Sequence, residues 1–210
     1  MAEPDSLKAP RRGRSSRPPR QRMDTDARRE QLLDLGLGMF AARTYDAVSI
    51  DDVAVAAGIS KGLLYHYFPT KRDFYVAVVC EAARRLLEVT SPPLELLPLE
   101  RLVHGLQGYL TFVDAHALTY AALLRGGIGT DEDVIRVVEG AREKIIERLL
   151  EGIGQESPTA LLRLLLRGWI GFVEATSLHW IEHRDLARDE LLQLWVQQLV
   201  RTLPRETAKS

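Results

Sequence analysis

From Asp24 to Leu203, apolar residues recur every three or four positions, the spacing that places them on one face of an α-helix. No useful stretch alternates with a period of two, so the pattern predicts no strands. Helix breakers punctuate it at Gly58, Pro69, Ser91-Pro92-Pro93, Gly126-Gly127 with Gly129, and Gly152-Ile153-Gly154. Ser49, Thr70 and Thr130 each stand three residues before an acid (Asp52, Asp73, Asp133), the spacing of a capping box. Ser60 can cap a further helix, and Ser157 followed by Pro158 reads as a cap plus a first-turn proline. The expectation is an all-α chain of about nine helices, at 25–43, 49–57, 60–67, 71–90, 99–115, 117–125, 131–152, 158–183 and 187–203.

The second helix keeps Ile50, Val53, Ala54 and Ala57 on one side, and its two alanines allow another helix close. Gly58 supplies a left-handed turn, Ile59 an apolar plug, and Ser60 starts the next helix at once. Helix, glycine turn, helix is the helix-turn-helix pattern, whose second helix lies in the major groove of DNA. The chemistry of the third helix suits that role. Lys61 can reach a phosphate, Gly62 lets the backbone come close, and a helix N-terminus favours a phosphate oxygen. Tyr65, His66 and Tyr67 offer hydroxyl and imidazole donors, while Leu64 and Phe68 fall on the inward side. The competing reading makes Tyr65, Tyr67 and Phe68 core aromatics. We adopt it for Phe68 and Tyr67 and assign Lys61 and Tyr65 to DNA.

Net charge is only −1, but it is unevenly placed. Residues 1–22 hold seven Lys and Arg against Glu3 and Asp5, a net +5, so the remainder carries −6. Residues 1–23 are rich in Arg, Pro and Ser and read as a disordered basic arm. Such an arm either inserts arginines into a minor groove or adds general attraction through counterion release, and we favour the second. The arm has no apolar stretch behind it, so a signal peptide is not expected. No apolar run reaches the ~18 residues of a membrane span. A single cysteine, Cys80, leaves no disulfide framework and fits a reducing cytoplasm.

The run Tyr45-Asp-Ala-Val-Ser-Ile-Asp-Asp-Val-Ala-Val-Ala-Ala-Gly-Ile-Ser-Lys-Gly-Leu-Leu-Tyr-His-Tyr-Phe-Pro-Thr-Lys-Arg-Asp-Phe74 closely resembles the DNA-binding signature of the TetR family of regulators. Beyond it, the chain resembles that family in helix count, lengths and breaks. The resemblance implies a DNA-binding domain over 24–70 and an effector-binding and dimerisation domain over 71–204. It implies DNA contacts from Ser49, Ser60, Lys61, Gly62, Leu63, Tyr65, His66 and Lys71. Leu63 departs from the family, where a polar residue is frequent. A leucine can pack on a thymine methyl but cannot hydrogen-bond a base, which shifts base reading toward Tyr65, Gly62 and DNA shape.

The last two helices are apolar around most of their circumference, through Leu161 to Val173 and Leu191 to Leu203. Such helices face a core on one side and a partner on the other, so a four-helix bundle between two subunits is expected. A homodimer would set two recognition helices about 34 Å apart on a palindrome. A ligand pocket is expected among the middle helices, lined by Tyr109, Phe112, Tyr120, Trp169 and Phe172, with Leu124 nearby and Arg125, Glu174 and His116 as polar anchors. The competing reading makes these aromatics plain core. His179 and His183, four apart beside Glu182, could hold a metal or could serve the helix dipole; no metal or other cofactor is assigned.

Catalytic motifs are lacking: there is no Gly-x-Ser-x-Gly turn, phosphate-cradling loop or metalloprotease motif. The expectation is a non-enzymatic transcriptional repressor that a small hydrophobic effector releases from its operator. The alternatives are a ligand-independent DNA-binding protein and a transcriptional activator.

Overall fold

The computed structural model describes residues 25–117, 120–121 and 131–203. Eight helices have defined ends: α1 (Thr25–Ala42), α2 (Ile50–Ala57), α3 (Lys61–Tyr67), α4 (Lys71–Val89), α5 (Pro98–Ala115), α6 (Glu132–Gly152), α7 (Ala160–His183) and α8 (Arg188–Thr202). No strand occurs among the described residues. Of the helix expected at 117–125, Ala117, Tyr120 and Ala121 are helical, while Leu124 and Arg125 lie outside the described residues, as does the arm at 1–23.

Local chemistry explains most helix starts. Ser49 Oγ accepts from the Asp52 N–H at 3.0 Å, and Asp52 accepts from the Ser49 N–H at 3.3 Å, a complete capping box. Thr70 makes half of one: its hydroxyl accepts from the Asp73 N–H but donates to the Asp73 carboxylate. Two caps fall elsewhere than the pattern predicted. Asp131 caps α6, because its carboxylate reaches the N–H groups of Asp133 and Val134; Thr130, where the pattern placed the cap, lies outside the described residues. Thr159, not Ser157, caps α7 by accepting from Leu162, so Pro158 lies before the helix.

Two apolar cores form. The first joins α1, α2, α3 and the first half of α4, through Leu32, Phe40, Val53, Leu64, Phe74 and Val78, and takes in Val134 of α6. The second joins α5 to α8, through Leu110, Leu166, Trp169, Leu191 and Trp195. Trp169 Nε1 donates to the Trp195 carbonyl at 3.0 Å and Trp195 Nε1 to Thr176 Oγ1 at 2.8 Å, pinning α7 to α8.

Helix α4 spans both cores and is held at both ends by α6. Near its start, Arg72 forks onto Asp131 at 2.6 and 2.8 Å and onto Asp133 at 2.5 Å. Near its end, Arg148 Nη1 donates to the Leu87 carbonyl at 2.8 Å. α5 crosses that end closely: a Cβ on Gly108 would fall 1.9 Å from the Val89 carbonyl oxygen.

Candidate DNA-reading head and effector cavity

α2 and α3 meet at Gly58, whose φ of +64° is left-handed and whose N–H reaches back to the Val55 carbonyl at 3.1 Å. That conformation costs little only for glycine. Leu64 and Phe68 sink into the first core. They fix the rotation of α3 and turn its opposite side outward. Lys61, Gly62, Leu63, Tyr65 and His66 are exposed, and Leu63 and Tyr65 keep 40% of their surface in solvent. Nothing lies within 4 Å of a Cβ built on Gly62, so a partner backbone can approach it. Ser60 caps the helix by accepting from the Leu63 N–H at 3.2 Å. Tyr67 is half-buried beside His66, away from the exposed row.

The cations of this face are already positioned. Lys61 Nζ lies 2.9 Å from Asp51, whose hydrogen bond and charge raise the ammonium pKa. Lys71 sits 4.3 Å over the Tyr45 ring and reaches the Asp46 carbonyl at 3.4 Å. Arg43 lies 3.6 Å from Asp52. Asp51, Arg43 and Val55 are the residues the sequence reading passed over. Val55, 81% exposed on α2, was detectable because it falls off the Ile50–Val53–Ala54–Ala57 side. Asp51 gave no such signal, since its pairing with Lys61 needs the turn at Gly58.

A cavity of about 300 Å³ lies among α4, α5, α6, α7 and α8. Its wall includes Tyr109, Phe112, Tyr120 and Trp169 of the expected set, but not Phe172. Phe172 is half-buried and packs against the second core from outside the cavity. Of the expected polar anchors, Glu174 lines the wall and His116 does not. Glu174 is already committed, because Arg142 grips it with Nε and Nη2, each at 2.8 Å. Tyr109 bonds to Tyr120 and, at 3.0 Å, to Ser177, which donates to the Val173 carbonyl at 2.6 Å. Burial raises both phenol pKa values, so both rings stay protonated.

His179 and His183 stack with ring centres 4.1 Å apart. His183 Nδ1 bonds to the His179 carbonyl at 2.9 Å, and His179 Nε2 to Asp185 at 3.2 Å. Those contacts occupy one nitrogen of each ring, and no cluster of three or more candidate metal ligands exists among the described residues.

Residues 32–78 match the family model of bacterial regulatory proteins of the tetR family, and residues 98–202 match that of the tetracyclin repressor-like C-terminal domain. The chain belongs to the TetR family. A tetR-family transcriptional regulator from Streptomyces coelicolor has a crystal structure with a TM-score of 0.76 and 33% identity, over 86% of this chain and 80% of that one. The transcriptional activator FasR of Mycolicibacterium smegmatis is 26% identical over 84% of this chain and 83% of its own. The transcriptional repressor KstR of Rhodococcus jostii is 27% identical over 82% of each.

This TetR-family member is therefore a transcription regulator with a helix-turn-helix, and not an enzyme. TetR-family chains bind DNA and pair as dimers. No helix among the described residues is long and apolar enough to cross a membrane.

Proposed function

We propose that this TetR-family regulator is a homodimeric repressor of a palindromic operator, released when a small hydrophobic effector fills the cavity. One observation carries the reading: the cavity and the reading head share α4. Val79 and Ala82 of α4 line the cavity, while Phe74 and Val78 of the same helix pack in the head's core. A ligand that prefers one setting of α4 also prefers one placement of α3, and it acts only through its different affinity for the two.

The DNA contacts are assigned to Ser49, Ser60, Lys61, Gly62, Leu63, Tyr65, His66 and Lys71. Their common exposure on one side of the head supports this for α3. The effector contacts are assigned to Tyr109, Phe112, Tyr120 and Trp169, which share the wall. The dimer forms through α7 and α8. Leu161 and Leu164 on α7 are 60% and 68% exposed, and Val200 on α8 is 59% exposed, so each helix leaves an apolar side uncovered. Gly168 continues the α7 stripe with open space above it, which lets a partner helix approach. The protein acts in the cytoplasm, on the nucleoid.

The test has two stages. Genomic fragments retained by the purified protein define the operator; a lipophile library is then screened for release, read by operator anisotropy and intrinsic tryptophan fluorescence. Ligand-linked loss of affinity is expected. Operator binding that no ligand changes would leave a ligand-independent DNA-binding protein. The likeness to the activator FasR keeps activation as the second reading. Reporter transcription from the operator in cells with and without the gene separates the two by sign.

A further inference from the structure

Three guanidinium groups stand on the cavity wall, and two are engaged. Arg142 is paired with Glu174, and Arg148 donates to the Leu87 carbonyl and the Thr90 hydroxyl. Arg101, in the first turn of α5, is different. Its Nε is buried without a hydrogen-bond partner. The Nε–H is therefore a donor on the cavity wall with nothing to receive it, while the residue as a whole is half-buried. Buried polar groups nearly always find partners, and one left unmet is costly to keep.

The opposite end of the cavity offers no such donor. Ser177 gives its proton to the Val173 carbonyl, so Tyr109 must donate to Ser177 and Tyr120 to Tyr109. Every hydroxyl proton of that chain is used. Arg101 and Tyr109 are eight residues apart, roughly 12 Å along α5 at 1.5 Å per residue. Leu102, Leu106, Leu149 and Ile170 line the space between them. At the Arg101 end, Pro92, Pro98 and Leu99 line the cavity where the α4–α5 connection meets it, and Leu99 is 56% exposed. A phosphate dianion is a poor match for one guanidinium in so apolar a space; a single carboxylate or a carbonyl is a good one.

We propose that Arg101 holds the acyl oxygen of a straight-chain lipophile whose tail runs along α5 toward Tyr109. The recognised chemistry is a carboxylate or thioester carbonyl on a hydrocarbon chain, which a free fatty acid and an acyl thioester share. This rests on the cavity being the effector site and adds which end of the effector is polar and what receives it.

The experiment titrates the full-length protein with dodecanoate, dodecanoyl-CoA and dodecylamine, reading calorimetry and operator release. It compares the parent protein with Arg101→Met and Arg101→Lys. The parent should bind one acyl probe about tenfold or more tighter than the amine. Arg101→Met should erase that preference and Arg101→Lys should restore part of it. Whichever acyl probe binds tighter and releases DNA identifies the source. Without ligand, Arg101→Met should melt at or above the parent temperature, because an unmet buried N–H donor has been removed. A lower melting temperature would mark Arg101 as structural and overturn the proposal. Binding of neither acyl probe more tightly than the amine, or an unchanged preference in Arg101→Met, would overturn it while leaving a lipophile-responsive regulator intact. Binding of no lipophile and no release of DNA would remove both readings.

Discussion

The Lys61 ammonium must leave the Asp51 carboxylate, 2.9 Å away, before it can meet a DNA phosphate. The pair is exposed, so the competition is modest and screened by salt. Asp51→Asn should therefore tighten binding to operator and random duplex alike, by a few-fold at low salt, with the gain shrinking as salt rises. Lys61→Ala should weaken both and flatten the salt dependence. Anisotropy titrations over a salt series check each. Equal affinity of parent and Asp51→Asn at low salt would mean that the pair does not restrain Lys61. At this scale the sequence named Lys61 and its chemistry but not its jailer. The partner lies ten residues back, on another helix, and only the left-handed turn at Gly58 brings the two together.

Among the helices, α4 is the member whose surroundings decide most. Its last turn touches α5 at Gly108, where an added Cβ would meet the Val89 carbonyl at 1.9 Å. That atom is backbone and cannot swing aside. Gly108→Ala should cost about 1–3 kcal/mol, the usual range for overpacking. Gly140→Ala on α6, with open space around it, should instead gain roughly 0.5–1 kcal/mol from helix propensity. Urea unfolding of the two variants against the parent tests the contrast. Glu81 gives α4 a pH signature. Hydrogen bonds from Arg84 and Arg85 hold its carboxyl down at about 2. A lowered folded value means that the stabilisation is complete above the unfolded value of about 4.3 and is lost as pH falls toward 2. Glu81→Gln should flatten the stability curve across that window and leave its shape near neutrality unchanged, as urea midpoints at stepped pH will report. The capping boxes made the helix starts readable. Two caps lie one and two residues beyond the expected positions, at Asp131 and Thr159, because those side chains reach the orphan N–H groups of the first turn.

For the whole molecule, the decisive surface is the uncovered apolar side of α7 and α8. If it seats a second copy, Leu164→Glu should give a folded monomer by sedimentation velocity. That monomer should lose most of its operator affinity, since two reading heads are no longer coupled. A variant that stays dimeric would place the interface elsewhere. The periodicity of the chain fixed an all-helical architecture, the reading head and the apolar excess of its last helices, because those features depend on residues close in sequence. Folding in three dimensions settled which aromatics line a cavity, that Glu174 is spent on Arg142, and that Arg101 Nε is left without an acceptor. Such facts depend on pairings between distant helices, whose rotation is set by the packing of the whole core and not by any local pattern.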